Sequence, residues 1–279
     1  MRRISVIAVI RDAYAFTFAH LGTIIGLVWM PTLLLTVMGF FSTQHLANDA
    51  IEALAGNTAG MGAGFLVWLG YVISSLLLQA IAYVAVVQLA LGARNGPVLA
   101  HFAFGALEWR MFAGLASFAG LLLAVFLVGS TLISAAARVS PALPALVLVF
   151  YAALLMLVAR LFLLLPAVAV TDTGPVLRRV WQVGAGNFGR LFAVLLAIAI
   201  PLGLLAILLL VPVAGRTPPP APDSDMLRQQ MAMMMWLRQV LPFVWSLFFL
   251  IAPLMVGLFA GASVSAWRAL KDEAAGIIA

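Results

Sequence analysis

Residues 191–213 have the sequence LFAVLLAIAIPLGLLAILLLVPV, a continuous apolar stretch without a charged side chain. About 20 residues of α-helix are needed to cross the hydrocarbon core of a bilayer, so this stretch predicts one transmembrane helix. Similar stretches recur along the chain, which is therefore predicted to cross a membrane repeatedly. The six predicted spans lie near residues 21–41, 65–92, 112–137, 143–166, 191–213 and 240–267.

The overall composition supports a helical fold embedded in the membrane. Hydrophobic residues make up 65% of the chain and charged residues only 9%, whereas about a quarter of an average soluble domain is charged. Open sheet edges would leave backbone groups unpaired in lipid, and the alternating pattern of an outer-membrane barrel is absent. We predict an all-α fold in which residues 1–279 form a single integral membrane domain.

The distribution of basic residues predicts the orientation of the chain. Ten lie in connections on one side: Arg2, Arg3, Arg11, Arg94, Arg110, Arg178, Arg179, Arg190, Arg268 and Lys271. Four lie on the other side: Arg138, Arg216, Arg228 and Arg238. The remaining one, Arg160, falls within a predicted span. Because cytoplasmic connections are rich in arginine and lysine, both termini are predicted to be cytoplasmic. Only Lys271 among 15 basic residues is lysine, which is typical of GC-rich bacterial genomes, so the predicted location is the bacterial inner membrane.

The first residues superficially resemble a secretory signal peptide. Arg2 and Arg3 precede an apolar segment, as they would in such a peptide. However, Arg11 and Asp12 interrupt that segment early, and no small-residue cleavage site follows it. We therefore expect an uncleaved first helix.

A short motif indicates an internal repeat. Gly96-Pro97-Val98-Leu99 recurs unchanged as Gly174-Pro175-Val176-Leu177, 78 residues later. Arg110-Met111-Phe112-Ala113 and Arg190-Leu191-Phe192-Ala193 open similar apolar segments 80 residues apart. A fainter third copy is Phe18-Ala19-His20-Leu21, which resembles Phe188-Gly189-Arg190-Leu191. Since repeated sequence units indicate repeated structural units, we predict three transmembrane hairpins in parallel orientation. The three repeat units cover about residues 4–92, 96–170 and 174–267, and a cytoplasmic tail follows at 268–279.

Each hairpin is predicted to follow a cytoplasmic amphipathic helix. The apolar faces comprise Ile7, Ile10, Tyr14 and Phe18 in the first unit, Leu99, Phe102, Ala103 and Ala106 in the second, and Leu177, Val180, Trp181, Gly184 and Phe188 in the third. In the second unit, His101 and Glu108 form the polar face. Such helices lie in the headgroup plane with a basic face towards anionic lipid. The predicted lipid-headgroup contacts are Arg178, Arg179, Trp181 and Arg190.

Arg160 is the one charged residue within a predicted span, and an ionisable residue in such a position suggests a functional site. The repeat aligns it with Ala82, which lies beside Gln79 and Tyr83 of the second span. One interpretation is a shared polar patch of Arg160, Gln79 and Tyr83. The other is structural, because Arg160 is placed close enough to the cytoplasmic interface for its guanidinium group to reach water.

Two pairs of glycines have the spacing that lets transmembrane helices approach closely. Gly22 and Gly26 form one pair, and Gly257 and Gly261 form the other. Because glycine has no Cβ atom, the backbones of two helices can come into contact at such positions. We predict that both pairs lie at helix contacts inside the bundle.

The segment from Arg160 to Leu191 carries a more specific pattern. The arginine late in an apolar stretch is followed by Pro166-Ala167-Val168-Ala169-Val170, a short turn, Leu177-Arg178-Arg179-Val180-Trp181 and Gly186-Asn187-Phe188-Gly189-Arg190-Leu191. This pattern resembles the membrane domain of bacterial glycerophosphoryl diester phosphodiesterases, including relatives that stand alone without the catalytic domain. The resemblance implies a six-helix inner-membrane bundle. The catalytic barrel of the fused relatives has no counterpart here, so their phosphodiesterase activity is not carried over.

Several classes of chemistry are disfavoured. The chain has no cysteine, and no zinc-protease, P-loop or dinucleotide-binding motif occurs. Its nine acidic residues all lie in predicted connections or tails, so intramembrane aspartyl catalysis is not expected. We predict no enzymatic activity, no cofactor and no metal. The basic residues are too scattered for nucleic-acid binding.

The predicted partners are the phospholipid bilayer, with anionic lipids on its cytoplasmic side, and another membrane protein. The leading functional hypothesis is a role in organising the envelope or its lipids, or as the membrane partner of another protein. The alternative is a small permease, or a transporter of lipid or solute, with a polar path near Arg160.

Overall fold

The computed structural model describes residues 4–56, 61–94, 101–137, 149, 150, 152, 154, 159, 162–170, 176–214 and 226–276. Within these residues the structure is all-helical and contains no strand, which confirms the predicted α class. The helices are α1 (Val6–Ala19), α2 (Leu21–Leu54), α3 (Met61–Leu91), α4 (Ala106–Ala137), α5 (Leu164–Val170), α6 (Val176–Val183), α7 (Phe188–Ala214) and α8 (Met226–Gly276).

Five helices of the described part of the chain are long and apolar enough to cross a membrane. They match the first, second, third, fifth and sixth predicted spans: Leu21–Leu54, Gly62–Leu91, Ala106–Ser134, Phe188–Pro212 and Arg228–Lys271. The fourth predicted span, 143–166, lies largely outside the described residues. The chain is thus a multi-pass helical membrane protein.

The longest helix, α8, contacts α1, α2, α3, α5 and α7. It contains 51 residues, or about 76 Å at 1.5 Å per residue, which exceeds the roughly 30 Å of a hydrocarbon core. α2 runs antiparallel to it, since Ile24 lies beside Gly257 and Gly39 lies beside Trp245. Both helices continue past the predicted span boundaries, and α8 in particular extends out of the membrane.

One end of the bundle, called here the Arg268 end, brings together four helix termini. The Nη2 atom of Arg268 donates to the carbonyl oxygen of Ala90 at 2.9 Å, which joins the end of α8 to the end of α3. The backbone N–H of Ile4 donates to Oδ1 of Asn187 at 3.2 Å, which joins the segment before α1 to the start of α7. α2 and α7 therefore run away from the Arg268 end, whereas α3 and α8 run towards it.

Contrary to the sequence-based expectation, α1 does not lie across the bundle in the headgroup plane. It packs antiparallel along the last turns of α8, with Thr17 beside Gly257 and Ala13 beside Gly261. The reason is that both partners have small side chains at the contact, so the two backbones approach closely. Gly257 and Gly261 confirm the predicted close contact, whereas no described residue lies within 4 Å of where the Cβ atom of Gly22 would be.

The apolar stripe predicted for α1 nevertheless faces away from the protein at two positions. Ile7 is 81% exposed and Phe18 is 59% exposed, while Val9 and Ala13 on another face are buried against the bundle. Exposed apolar side chains are stable where lipid covers them. α1 is therefore covered by protein on one face and presents apolar groups on another.

The second predicted amphipathic helix is wrong in its described part. Residues 101–105 are not helical, and α4 begins only at Ala106. The N–H of Gly105 donates to Oε2 of Glu108 at 2.8 Å, so the carboxylate caps the start of α4. His101 and Glu108 are only 9% and 6% exposed, although the helical pattern placed them in water. They turn inward because protein groups satisfy their polar atoms.

The third predicted amphipathic helix is shorter than the sequence pattern suggested. α6 ends at Val183, and α7 begins at Phe188. The break is possible because Gly186 has a φ of +79°, a conformation that glycine adopts without strain. Residues 179–183 are helical whereas residues 101–105, their counterparts at a spacing of 78, are not. The motif residues 96–99, 174 and 175 lie outside the described part of the chain.

Candidate functional site

Two of the predicted headgroup residues lie on the outer face of α6. Arg178 is exposed and Trp181 is 51% exposed, while Val180 is buried in the core. A guanidinium group beside an indole ring is the combination that binds the interfacial layer of a bilayer. α6 is held to the bundle through Val180 and presents the other two side chains outward. The side chain of Arg179 lies outside the described structure.

Arg190, also predicted to bind headgroups, has a partner within the protein. Its Nη1 atom donates to the carbonyl oxygen of Ile4 at 3.1 Å. The N–H of the same residue, Ile4, is bound by Asn187. Asn187 and Arg190, at the start of α7, therefore bind the two backbone polar groups of Ile4, just before α1. Sequence reasoning missed Asn187, because its partner lies 183 positions away.

An aromatic cluster at the start of α4 was also not singled out from the sequence. Phe102, Phe104 and Trp109 are all substantially exposed. Their rings follow one another, with centroids 5.2 Å apart for Phe102 and Phe104 and 6.5 Å apart for Phe104 and Trp109. Exposed aromatic residues at the end of a transmembrane helix are typical of the membrane–water interface. The cluster therefore indicates where α4 enters the bilayer.

Beside this cluster, His101 occupies a buried position between two charged side chains. The guanidinium group of Arg94 lies 3.0 Å from its Nδ1 atom and 3.3 Å from its Nε2 atom. Burial lowers the pKa of His101 below its usual value of 6.5, the positive charge of Arg94 lowers it further, and Glu108 acts in the opposite direction. The imidazole is consequently held neutral between α3 and α4.

This depressed pKa predicts a loss of stability in acid. The unfolded chain binds a proton at His101 more readily than the folded chain does, so stability is fully present above the ordinary pKa and decreases as the pH falls below it. Between about pH 7.5 and pH 5.5, the thermal unfolding midpoint of the wild-type protein in detergent should decrease more than that of His101→Gln. Parallel curves for the two proteins would contradict the assignment.

Two of the three predicted intramembrane polar residues lie in one cleft. Gln79 and Tyr83 on α3, Thr32 on α2 and Phe248 on α8 line a space of about 120 Å³. A cleft of this size has room for a handful of water molecules. Arg160, the third member of the predicted patch, lies outside the described residues.

Among the described residues, no group of three or more His, Cys, Asp and Glu side chains is arranged to hold a metal ion. Searches against protein-family models, characterised proteins and solved structures find no match to this chain. The candidate site is therefore defined by its own geometry.

Proposed function

We propose that this chain is a non-catalytic protein of the bacterial inner membrane that organises lipids at the cytoplasmic leaflet or serves as the membrane partner of another protein. The main support is the outward presentation of Arg178 and Trp181 on α6. Anionic headgroups attract the first side chain, and the interfacial layer accommodates the second.

The proposed architecture has six spans arranged as three hairpins of the same orientation. The fourth span is supported by two contacts of described residues with α4. The ring of Phe150 lies where a side chain on Gly129 would be, and Cδ2 of Leu164 lies 3.4 Å from the Cβ position of Gly114. The segment thus moves towards the start of α4 as its residue numbers rise, as the second helix of a hairpin does.

The orientation rests on charge. Basic side chains of the described residues gather towards the Arg268 end, which includes Arg178, Arg190 and Lys271. Because positively charged connections remain in the cytoplasm, we place this end and both termini there. The resemblance to the membrane domain of glycerophosphoryl diester phosphodiesterases agrees with such a bundle, without bringing the phosphodiesterase activity.

A test compares lipid retention by two charge-reversal variants. Each cationic residue near an anionic surface contributes about 1 kcal/mol, so Arg178→Glu should reduce the enrichment of anionic lipid about tenfold or more. Arg228→Glu is the control, because Arg228 is an exposed arginine at the start of α8, far from the Arg268 end. Native mass spectrometry of protein released from nanodiscs of mixed phosphatidylglycerol and phosphatidylethanolamine gives the enrichment. Equal retention by both variants would refute the proposal.

A small permease is the second candidate, and the cleft beside Gln79 and Tyr83 supports it. The substitutions Gln79→Leu and Tyr83→Phe remove its polar groups with little change in volume. A permease would lose solute uptake in proteoliposomes and retain its bound lipid. A lipid-organising protein would show no such loss.

A further inference from the structure

A cavity of about 560 Å³ lies at the Arg268 end. It is enclosed by α1, by the last turns of α8 and by the end of α3. Unlike the cleft around Gln79, it has charged walls. Its polar side chains are Ser5, Asp12, Ser265 and Arg268.

The cavity carries one anionic and one cationic group that do not pair with each other. Oδ2 of Asp12 accepts a hydrogen bond from Ser265 at 3.2 Å, and Arg268 donates to the carbonyl oxygen of Ala90. Ser265 and Arg268 are three residues apart on α8, so they are neighbours on one face. Even so, no ion pair joins Asp12 to Arg268 in the described structure, where the carboxylate of Asp12 is paired with Arg11 at 3.6 Å.

Opposite charges on the wall of one cavity select a ligand that carries both signs. A simple anion would be repelled by Asp12, and a simple cation would be repelled by Arg268. Ser5 adds a hydroxyl group at the start of α1, where the helix dipole favours negative charge. The anionic part of a ligand therefore fits between Ser5 and Arg268, and its cationic part fits against Asp12.

The cationic part is better matched by a primary ammonium than by a quaternary one. Quaternary ammonium groups are bound by cages of several aromatic rings, and Phe16 is the one aromatic residue among the described lining residues. A primary ammonium has three N–H donors. The carboxylate of Asp12 and the hydroxyl oxygen of Ser265 can accept them.

The remaining wall is apolar, as expected for a lipid site. Ile4, Val9 and Val264 line the cavity, so the part of a lipid next to its headgroup has apolar side chains to contact. We infer that the cavity binds a phosphoethanolamine group, with its phosphate at Arg268 and its ammonium at Asp12, supplied by phosphatidylethanolamine. This inference deepens the proposed lipid-organising role and rests on it, but it uses different side chains from those of α6.

The test measures which lipids stay bound to the full chain in native mass spectrometry. Nanodiscs contain equal amounts of phosphatidylethanolamine, phosphatidylcholine and phosphatidylglycerol. Wild-type protein should retain the first in preference to the second. Because a hydrogen bond to a charged group is strong, Asp12→Asn should reduce the preference for phosphatidylethanolamine over phosphatidylcholine about tenfold. Arg268→Gln should weaken the retention of every phosphate-bearing lipid.

The controls remove the same charges elsewhere. Lys271→Gln removes a positive charge on α8 one turn beyond Arg268, and Glu52→Gln removes a negative charge near the far end of α2. Arg268→Lys keeps the charge and should retain part of the binding. Thermal unfolding midpoints must match that of the wild type, so that misfolding is recognised.

The outcomes separate the inference from the proposed function. Loss of the preference in Asp12→Asn, with retention of anionic lipid still sensitive to Arg178→Glu, supports both. An unchanged preference in folded Asp12→Asn and Arg268→Gln overturns the cavity site alone. A further experiment adds glycerophosphoethanolamine in solution as a competitor. If it displaces the retained lipid, the site is assigned to a soluble ligand of the same chemistry, and the inference that phosphatidylethanolamine supplies the group is overturned.

Discussion

Gly261→Leu is expected to separate α1 from α8 and to lower the free energy of unfolding by about 3 kcal/mol, the upper part of the usual range for overpacked cores. A Cβ atom on Gly261 would lie 2.8 Å from Cδ1 of Phe16 and 3.4 Å from Cα of Ala13. The ring of Phe16 can move, but the backbone of Ala13 can move only with the whole helix. A leucine therefore forces the two helices apart along their full contact.

The chain has no cysteine, so a single introduced thiol reports the separation directly. Thr17 is fully buried between α1 and α8. Thr17→Cys should react slowly with a maleimide and should react much faster when Gly261→Leu is added. Gly70→Leu is the matched control, because none of the residues that the structure describes lies within 4 Å of the corresponding Cβ position in α3. If both leucine variants label at the rate of the single cysteine variant, the tight contact is not present.

The second large effect is expected for Trp245→Ala, with a loss of about 3 kcal/mol. The ring of Trp245 lies against Gly39 of α2, and its Nε1 atom donates to Oγ1 of Thr43 at 3.0 Å. The rings of Tyr71 and Phe248 meet it edge-on, with centroids 6.0 Å and 5.6 Å away. This one side chain therefore connects α2, α3 and α8, and its truncation leaves a cavity among them.

Two substitutions distinguish this connecting role from a general sensitivity of α8. Trp245→Phe keeps an aromatic ring and loses the hydrogen bond to Thr43, which costs about 1 kcal/mol. Phe243→Ala removes an exposed ring nearby on the same helix and should have little effect on the protein. Thermal unfolding in detergent should rank the destabilisation as Trp245→Ala, then Trp245→Phe, then Phe243→Ala. A Phe243→Ala variant as unstable as Trp245→Ala would argue against the contact.

The sequence predicted the long helices well and the connections between them poorly. α3 at Met61–Leu91 lies within a few residues of the predicted 65–92, because the length of an apolar run is a local property. The amphipathic helix predicted around His101 is absent from residues 101–105. A helical conformation of these residues would compete with the hydrogen bond between His101 and Arg94 and with the capping of α4 by Glu108. The periodicity of the sequence reveals neither of these contacts.

The candidate site was predicted in the same uneven way. Arg178 and Trp181 are both exposed, although the pattern of α6 placed Trp181 on the same face as Val180, which is buried. Arg190 instead binds the backbone of Ile4, and the charged cavity containing Asp12 and Arg268 was not foreseen. Its two charged residues are far apart in the chain and become neighbours only because α1 packs on α8.

The sequence by itself determined that this protein is helical and crosses a membrane several times, because the thickness of a bilayer sets how long an apolar run must be. Only the tertiary structure decided which helices touch. In lipid, helices gain nothing by hiding apolar surface from one another, so their pairing depends on close fit and on polar contacts. Here the fit is made by Gly257 and Gly261, and the polar contacts by pairs such as Ile4 with Asn187, whose partners no local pattern identifies.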